Sequence, residues 1–81
     1  MPGYRVQVFF GPERNEALEV KSEFNKMYED LPAYLTYQQP NFKIRVGNFK
    51  TRLEALKYLK DIQLLYTGAF LVKDNVKLPG L

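Results

Sequence analysis

Two short segments of the chain, 4–10 and 42–46, carry the side chains best suited to hold a ligand. Polar and apolar residues alternate in both, which is the pattern of a strand with one buried side and one accessible side. Cationic and amide groups on the accessible side could hold anions, hydroxyls or carbonyl oxygens, and a ring there could cover a flat apolar surface. The residues on this side are Arg5, Gln7, Phe9, Lys43 and Arg45.

The composition excludes most catalytic chemistry. Cysteine and histidine are absent from the 81 residues, which removes thiol nucleophiles, histidine-based triads and most transition-metal sites. No glycine-rich phosphate loop or dinucleotide motif is present, and the carboxylates of the first half do not converge with a nucleophile. We therefore expect a binding module rather than an enzyme, with no cofactor and no metal.

The net charge of +3 is a mild basic excess. It is compatible with nucleic acid, anionic glycans or acidic proteins as partners, and equally with ordinary solubility charge.

Four strands and two helices must position these side chains. Alternating segments rich in β-branched and aromatic residues predict strands over 4–10, 33–37, 42–46 and 69–73. Apolar residues at helical spacing predict helices over about 12–30 and about 51–66. Thr51 followed by Glu54 is a capping box that begins the second helix, and Gly68 is expected to end it in the left-handed conformation.

The predicted order is β-α-β-β-α-β, and its two halves resemble each other. Segment 4–8 has the polarity pattern of 42–46, and the sequence Glu-Ala-Leu at 16–18 recurs at 54–56. This internal repeat predicts an α+β, ferredoxin-like (RNP-like) domain. Its four-stranded antiparallel sheet would carry both helices on one face, with the first and third strands in the middle. We expect a single domain over 1–81, with its core at about 4–73 and a C-terminal tail at 74–81.

One face of this sheet should stay free of helices. The apolar sides of the strands must meet the helices, because the apolar stripes of the helices need burial. Leu35 and Leu71 would then face the helices, and Tyr34 and Phe70 would join the open face. The predicted binding residues are therefore Arg5, Gln7, Phe9, Tyr34, Lys43, Arg45 and Phe70.

The sequence resembles the SPOR (sporulation-related repeat) domain. That family has Val-Gln-x-Gly-small-Phe on its first strand, Arg-Val-x-x-Gly-x-Phe on its third strand and Glu-Ala on the helix that follows. The matching residues lie in segments 4–8, 43–49 and 54–55, and the likeness covers about residues 4–73.

The chain departs from the family pattern in two places. The glycine and the small residue that follow the glutamine are replaced by Phe9 and Phe10. Lys43 occupies the position of the arginine on the family's third strand. The positive charge is kept, but the paired hydrogen bonds that an arginine guanidinium can donate are lost.

The resemblance implies a non-catalytic module that binds bacterial peptidoglycan through the open sheet face, with Gln7 and Lys43 in the site. The implied ligand is glycan strand stripped of stem peptides, as found at division septa. The free lactyl carboxylates of such strands could meet Arg5, Lys43 and Arg45, and their N-acetyl groups and hydroxyls suit Gln7. Their sugar ring faces suit Phe9, Tyr34 or Phe70.

The same resemblance implies a place in the bacterial cell envelope, in the periplasm or cell wall. The first residues contain no apolar stretch of a secretory signal, so we expect the domain to belong to a longer exported or membrane-anchored protein. The domain itself is not expected to insert into the membrane.

Two other functions fit the same strand order. An RNA-recognition-type module shares the aromatic face and the basic excess, but the third strand lacks the Lys/Arg-Gly-Phe-x-Phe-Val signature, so nucleic acid is not the expected partner. A protein-interaction domain could use the sheet face or an exposed sheet edge.

Overall fold

The computed structural model describes residues 1–77 of the chain. The end of the predicted tail, residues 78–81, lies outside the described residues. The elements are β1 (Pro2–Gly11), α1 (Arg14–Met27), β2 (Ala33–Gln38), β3 (Asn41–Phe49), α2 (Arg52–Ile62) and β4 (Phe70–Asn75).

The strands form one four-stranded sheet in the order β2-β3-β1-β4, and each neighbouring pair is antiparallel. The predicted ferredoxin-like α+β fold is thereby confirmed, with β1 and β3 in the middle of the sheet. The two central strands have neighbours on both sides, so side chains on them can contact residues from several strands at once.

Both helices pack on the same face of this sheet. Each contributes one alanine and one larger apolar residue that are fully buried, and the alanines allow the helix backbone to approach the strands closely. These residues are Ala17, Phe24, Ala55 and Ile62. The sheet side of the core includes Val6, Ile44, Val46 and Phe49.

Two tyrosines tie the helices to each other. Tyr28 donates a hydrogen bond to Asp61 at 2.7 Å, and Tyr66 donates one to Glu23 at 2.8 Å. Burial, together with the hydrogen bond to Asp61, raises the pKa of Tyr28 to about 12. These contacts hold the helix layer together on the side away from the open sheet face.

The helix boundaries differ slightly from the prediction. The predicted capping box is present, since the Thr51 hydroxyl accepts a hydrogen bond from the Glu54 N–H at 3.2 Å. Both helices end a few residues early, at Met27 and Ile62, because tighter turns with bonds to the third preceding residue replace the last helical turn. The backbone of Gly68 is not in the left-handed conformation, so the expectation that Gly68 ends the second helix in this way is wrong.

The central β1–β3 pair contains two one-residue bulges. Between Gln7 and Phe9, β1 carries an extra residue relative to β3, and between Val46 and Phe49, β3 carries an extra residue relative to β1. Gly47 lies in the second bulge with φ of 82°, a conformation that glycine adopts without strain. Each bulge reverses the faces to which the following side chains point.

β4 extends further than predicted. Asp74 and Asn75, assigned to the tail from sequence, belong to this strand and pair with Gly3 and Pro2. The next residue, Val76, is 4% exposed. The predicted tail therefore begins too early, because the alternation that ends in polar residues continues as an edge strand.

The Gly47 bulge yields a stability prediction. We expect Gly47→Ala to lower the free energy of unfolding by about 1–3 kcal/mol or more, because alanine is strained at this φ and its Cβ would overlap the Phe49 ring. Gly68→Ala is the matched control. Its Cβ would meet no atom within 4 Å, so we expect a change within about 0.5 kcal/mol. Urea unfolding of both variants measures this, and equal effects at the two glycines would contradict it.

Candidate functional site

The open face carries a row of side chains that crosses all four strands. Arg45 of β3 pairs with Tyr34 of β2 on one side and with Gln7 of β1 on the other, and Gln7 pairs with Phe70 of β4. Opposed residues in antiparallel strands share a face, so these four side chains lie in line. A shorter second row contains Thr36, Lys43 and Phe10.

Gln7 lies at the centre of the first row and is only 6% exposed. Its Oε1 accepts a hydrogen bond from Arg45 Nε at 2.9 Å. Because a guanidinium can only donate, the atom that faces Arg45 must be the amide oxygen. The NH2 group of Gln7 therefore points away from Arg45.

Asp74 links two arginines from different strands. Its Oδ2 lies 3.1 Å from Arg5 Nη1 and 3.1 Å from Arg45 Nη1. Partial burial raises the pKa of the Asp74 carboxyl group, but hydrogen bonds from Arg45, from the Asn75 N–H and from Arg5 outweigh it. The net effect lowers the pKa of Asp74 below its ordinary value of 3.8.

The Arg5 guanidinium is occupied by contacts within the protein. Besides Asp74, it donates to the Gly47 carbonyl at 3.2 Å and to Asn48 Oδ1 at 3.0 Å, and its Cζ lies 4.3 Å from the centre of the Tyr34 ring. Asn48 in turn donates to the Tyr34 hydroxyl at 2.8 Å. Arg5 lies on the predicted face, but each of its nitrogens already has an acceptor.

Lys43 is the more accessible cation of this face. Its Nζ has a solvent-exposed contact of 3.2 Å with Gln38 Oε1. An exposed pair of this kind is weak and easily exchanged for a ligand.

The placement of Phe9 on the open face is wrong. Phe9 pairs with the fully buried Ile44 and packs against the core, because the extra residue in β1 reverses its direction. Phe10 takes the position opposite Lys43 instead and is 54% exposed. The aromatic ring on this part of the face therefore comes from Phe10.

An aromatic groove lies beside the central row. We use this name for the shallow groove of about 350 Å³ between Gln7, Phe10 and Phe70. Phe70 is 50% exposed, so both rings are accessible. The groove is completed by Val8, Phe9 and Gly68.

Six of the seven binding residues predicted from the sequence lie on the open face, and three further residues of the candidate site were not predicted. The six are Arg5, Gln7, Tyr34, Lys43, Arg45 and Phe70. The three are Phe10 and Asn48, whose directions depend on the bulges, and Asp74. Continuing the alternation of Phe70 and Val72 by two residues would have indicated Asp74.

The sequence model of the SPOR domain matches residues 1–73. The chain belongs to the SPOR domain family. No curated protein and no solved structure matches the chain significantly.

SPOR domains are peptidoglycan-binding modules of cell-envelope proteins, so membership supports a binding role for this domain. Within residues 1–77, no helix is long and apolar enough to span a membrane. The same residues hold no cluster of acidic side chains that could bind a metal ion. Asp74 lies just beyond the residues that match the family.

The lowered pKa of Asp74 predicts how stability changes with pH. A carboxyl group whose pKa is lower in the folded state stabilises the fold above its unfolded-state pKa, and this contribution is lost as the pH falls through the folded-state pKa. We expect the difference in the free energy of unfolding between wild type and Asp74→Asn to be largest at about pH 6. The difference should shrink below about pH 3.8. Urea unfolding across this range measures it, and a constant difference would contradict it.

The two neighbouring phenylalanines should respond differently to truncation. We expect Phe9→Ala to lower the free energy of unfolding by about 1–3 kcal/mol, because its ring packs against the core. Phe10→Ala should change it by no more than about 0.5 kcal/mol, because the Phe10 ring is largely exposed. Thermal or urea unfolding tests the pair, and a larger loss at Phe10 would show that the register is misassigned.

Proposed function

We propose that this SPOR domain binds the glycan strands of bacterial peptidoglycan through its open sheet face, and that it prefers strands lacking stem peptides. The observation that carries the proposal is the row of Tyr34, Arg45, Gln7 and Phe70 across the uncovered face. A hydrogen-bonding amide beside exposed rings is the combination that a sugar polymer requires.

The shape of the row suits an extended chain. Neighbouring strands lie about 4.8 Å apart, so a row across four strands measures roughly 14 Å. That span accommodates more than one sugar ring. The aromatic groove lies next to the row and offers Phe10 and Phe70 for contact with the apolar faces of sugar rings.

Gln7 and Lys43 can each contact a different polar group of the glycan. Gln7 can bond to an N-acetyl group or hydroxyl of the glycan. Lys43, whose Nζ is exposed, can meet the lactyl carboxylate that is freed when a stem peptide is removed. This carboxylate is the basis of the proposed preference for stripped strands.

The replacement of two small family residues by phenylalanines is compatible with glycan binding. The Phe9 ring packs against the core, whereas the Phe10 ring is 54% exposed and adds bulk to the open face. There it borders the aromatic groove and supplies a further ring for stacking.

The charge distribution favours glycan over RNA. Asp74 offsets part of the charge of Arg5 and Arg45, and each nitrogen of the Arg5 guanidinium already donates to an acceptor within the protein. RNA binding depends strongly on phosphate contacts by free cations, whereas a stripped glycan presents fewer, separated carboxylates.

We also propose that the domain acts in the bacterial envelope, as part of a longer exported or membrane-anchored protein. Stripped glycan is a feature of division septa, so a role in cell division follows from the proposed preference.

Co-sedimentation with isolated sacculi tests the proposal. We expect the domain to pellet with sacculi, and to pellet more strongly after an amidase has removed the stem peptides. Gln7→Ala and Lys43→Ala should each weaken binding by about 3- to 10-fold, because each removes one polar ligand contact. Lys26→Ala, on the exposed surface of α1, should leave binding unchanged.

Two further controls make the result specific. Thermal unfolding establishes that each variant is folded at the assay temperature, a control that matters most for the buried Gln7. A structured RNA over a salt series tests the nucleic-acid alternative. Binding to RNA but not to sacculi, or equal losses from Lys26→Ala and Lys43→Ala, would overturn the proposed site.

A further inference from the structure

Asp74 is the one residue beyond the family match that contacts two of the predicted site residues within the described part of the chain. Its Oδ2 accepts hydrogen bonds from Arg5 and Arg45, each at 3.1 Å. It lies on the edge strand β4, whereas the arginines lie on the central strands β1 and β3. One carboxylate therefore connects three strands at the centre of the open face.

The connection continues from Arg45 to Gln7. Arg45 uses Nη1 for Asp74 and Nε for Gln7, so the orientation of the guanidinium is set from both sides. A planar guanidinium held in this way is a rigid hydrogen-bond donor. It restricts the rotation of the Gln7 amide by holding its oxygen.

The other half of the Gln7 amide remains available. Its Nε2 donates to no group in residues 1–77, and no buried side-chain nitrogen or oxygen in these residues lacks a partner. The NH2 group must therefore reach the solvent, although the residue as a whole is 6% exposed. Gln7 also borders the aromatic groove, where a sugar ring would lie.

We propose that Asp74 is a positioning residue of the glycan site: by holding Arg45, it fixes the Gln7 amide so that its NH2 group donates to an oxygen of the ligand. The carbonyl oxygen of an N-acetyl group is an acceptor of the glycan that fits this polarity, since it can accept but not donate. The inference rests on the proposed function for its ligand, but the orientation of Gln7 can be measured without ligand.

If Asp74 competed with the ligand instead of positioning Gln7, its removal would change the binding affinity in the opposite direction. If Arg5 and Arg45 bound the carboxylates of the glycan directly, Asp74 would compete with the ligand, and its removal would tighten binding. If Asp74 positions Gln7, its removal weakens binding even though the face becomes more positive. The direction of the change therefore decides between the two roles.

The binding experiment compares Asp74→Asn with Asp61→Asn on amidase-treated sacculi. Both substitutions remove one negative charge, but Asp61 lies on α2 and contacts Tyr28 at 2.7 Å, away from the open face. We expect Asp74→Asn to weaken binding by about 3- to 10-fold and Asp61→Asn to leave it unchanged. Asp74→Glu, which keeps the carboxylate, should bind with intermediate strength. All variants are compared at a temperature where their unfolding curves show them folded.

A second measurement follows the Gln7 side chain itself. In two-dimensional nitrogen–proton spectra of the free domain, the side-chain amide signal of Gln7 should move in Asp74→Asn and keep its position in Asp61→Asn. A purely structural role for Asp74 would not single out this signal. Backbone signals of α1 and α2 should stay in place in Asp74→Asn.

Two results would overturn the inference. One is unchanged or tighter binding by Asp74→Asn, and the other is a Gln7 signal that does not respond to it. If the wild-type domain does not bind sacculi, the proposed function fails, and the Gln7 signal alone decides whether Asp74 orients the amide.

Discussion

The pairing of β1 with β3 determines what both faces of this sheet can do. Side chains alternate along a strand, so a single extra residue exchanges the faces of everything that follows it. The bulge after Gln7 sends the Phe9 ring toward the core and leaves Phe10 outside. The bulge at Gly47 buries Phe49 and brings Asn48 to Arg5 and Tyr34. Each bulge thus gives the core an aromatic ring and the open face a side chain that borders or supports the candidate site.

The open face is organised by hydrogen bonds more than by charge. Without Asp74, Arg5 and Arg45 would form a basic patch, but both form salt bridges with its carboxylate. The guanidiniums therefore serve first to hold other groups in place, which is a use that suits their rigid fork of donors. Accessible charge remains at Lys43, and accessible apolar surface remains in the aromatic groove. This balance matches a sugar polymer with isolated carboxylates better than a polyphosphate chain.

Membership of the SPOR family and the individual features of this chain are compatible. The family match covers residues 1–73 and includes Gln7 and Lys43. The two phenylalanines that replace small residues have separate physical roles, because one packs against the core and the other is exposed. The carboxylate that holds the two arginines comes from just outside the matched residues. The features that distinguish this domain are therefore the Phe9-Phe10 pair, Lys43 in place of the family's arginine, and a carboxylate from outside the matched residues, while the glutamine of the family pattern is kept as Gln7.

The sequence by itself determined the fold, the order of the strands and most of the open face. Alternation and helical spacing are local patterns, and the internal repeat together with the need to bury two apolar stripes leaves few arrangements. Gln7, Arg45, Tyr34 and Phe70 could be assigned to the open face on these grounds. The tertiary structure alone decided the directions of Phe9, Phe10 and Asn48. Three consecutive apolar residues, Val8 to Phe10, contain no polar residue to show where the alternation reverses, and the bulges are settled by pairing with another strand. Only the folded sheet shows that Asp74 holds both arginines, because that contact joins side chains from three strands that are distant in the sequence.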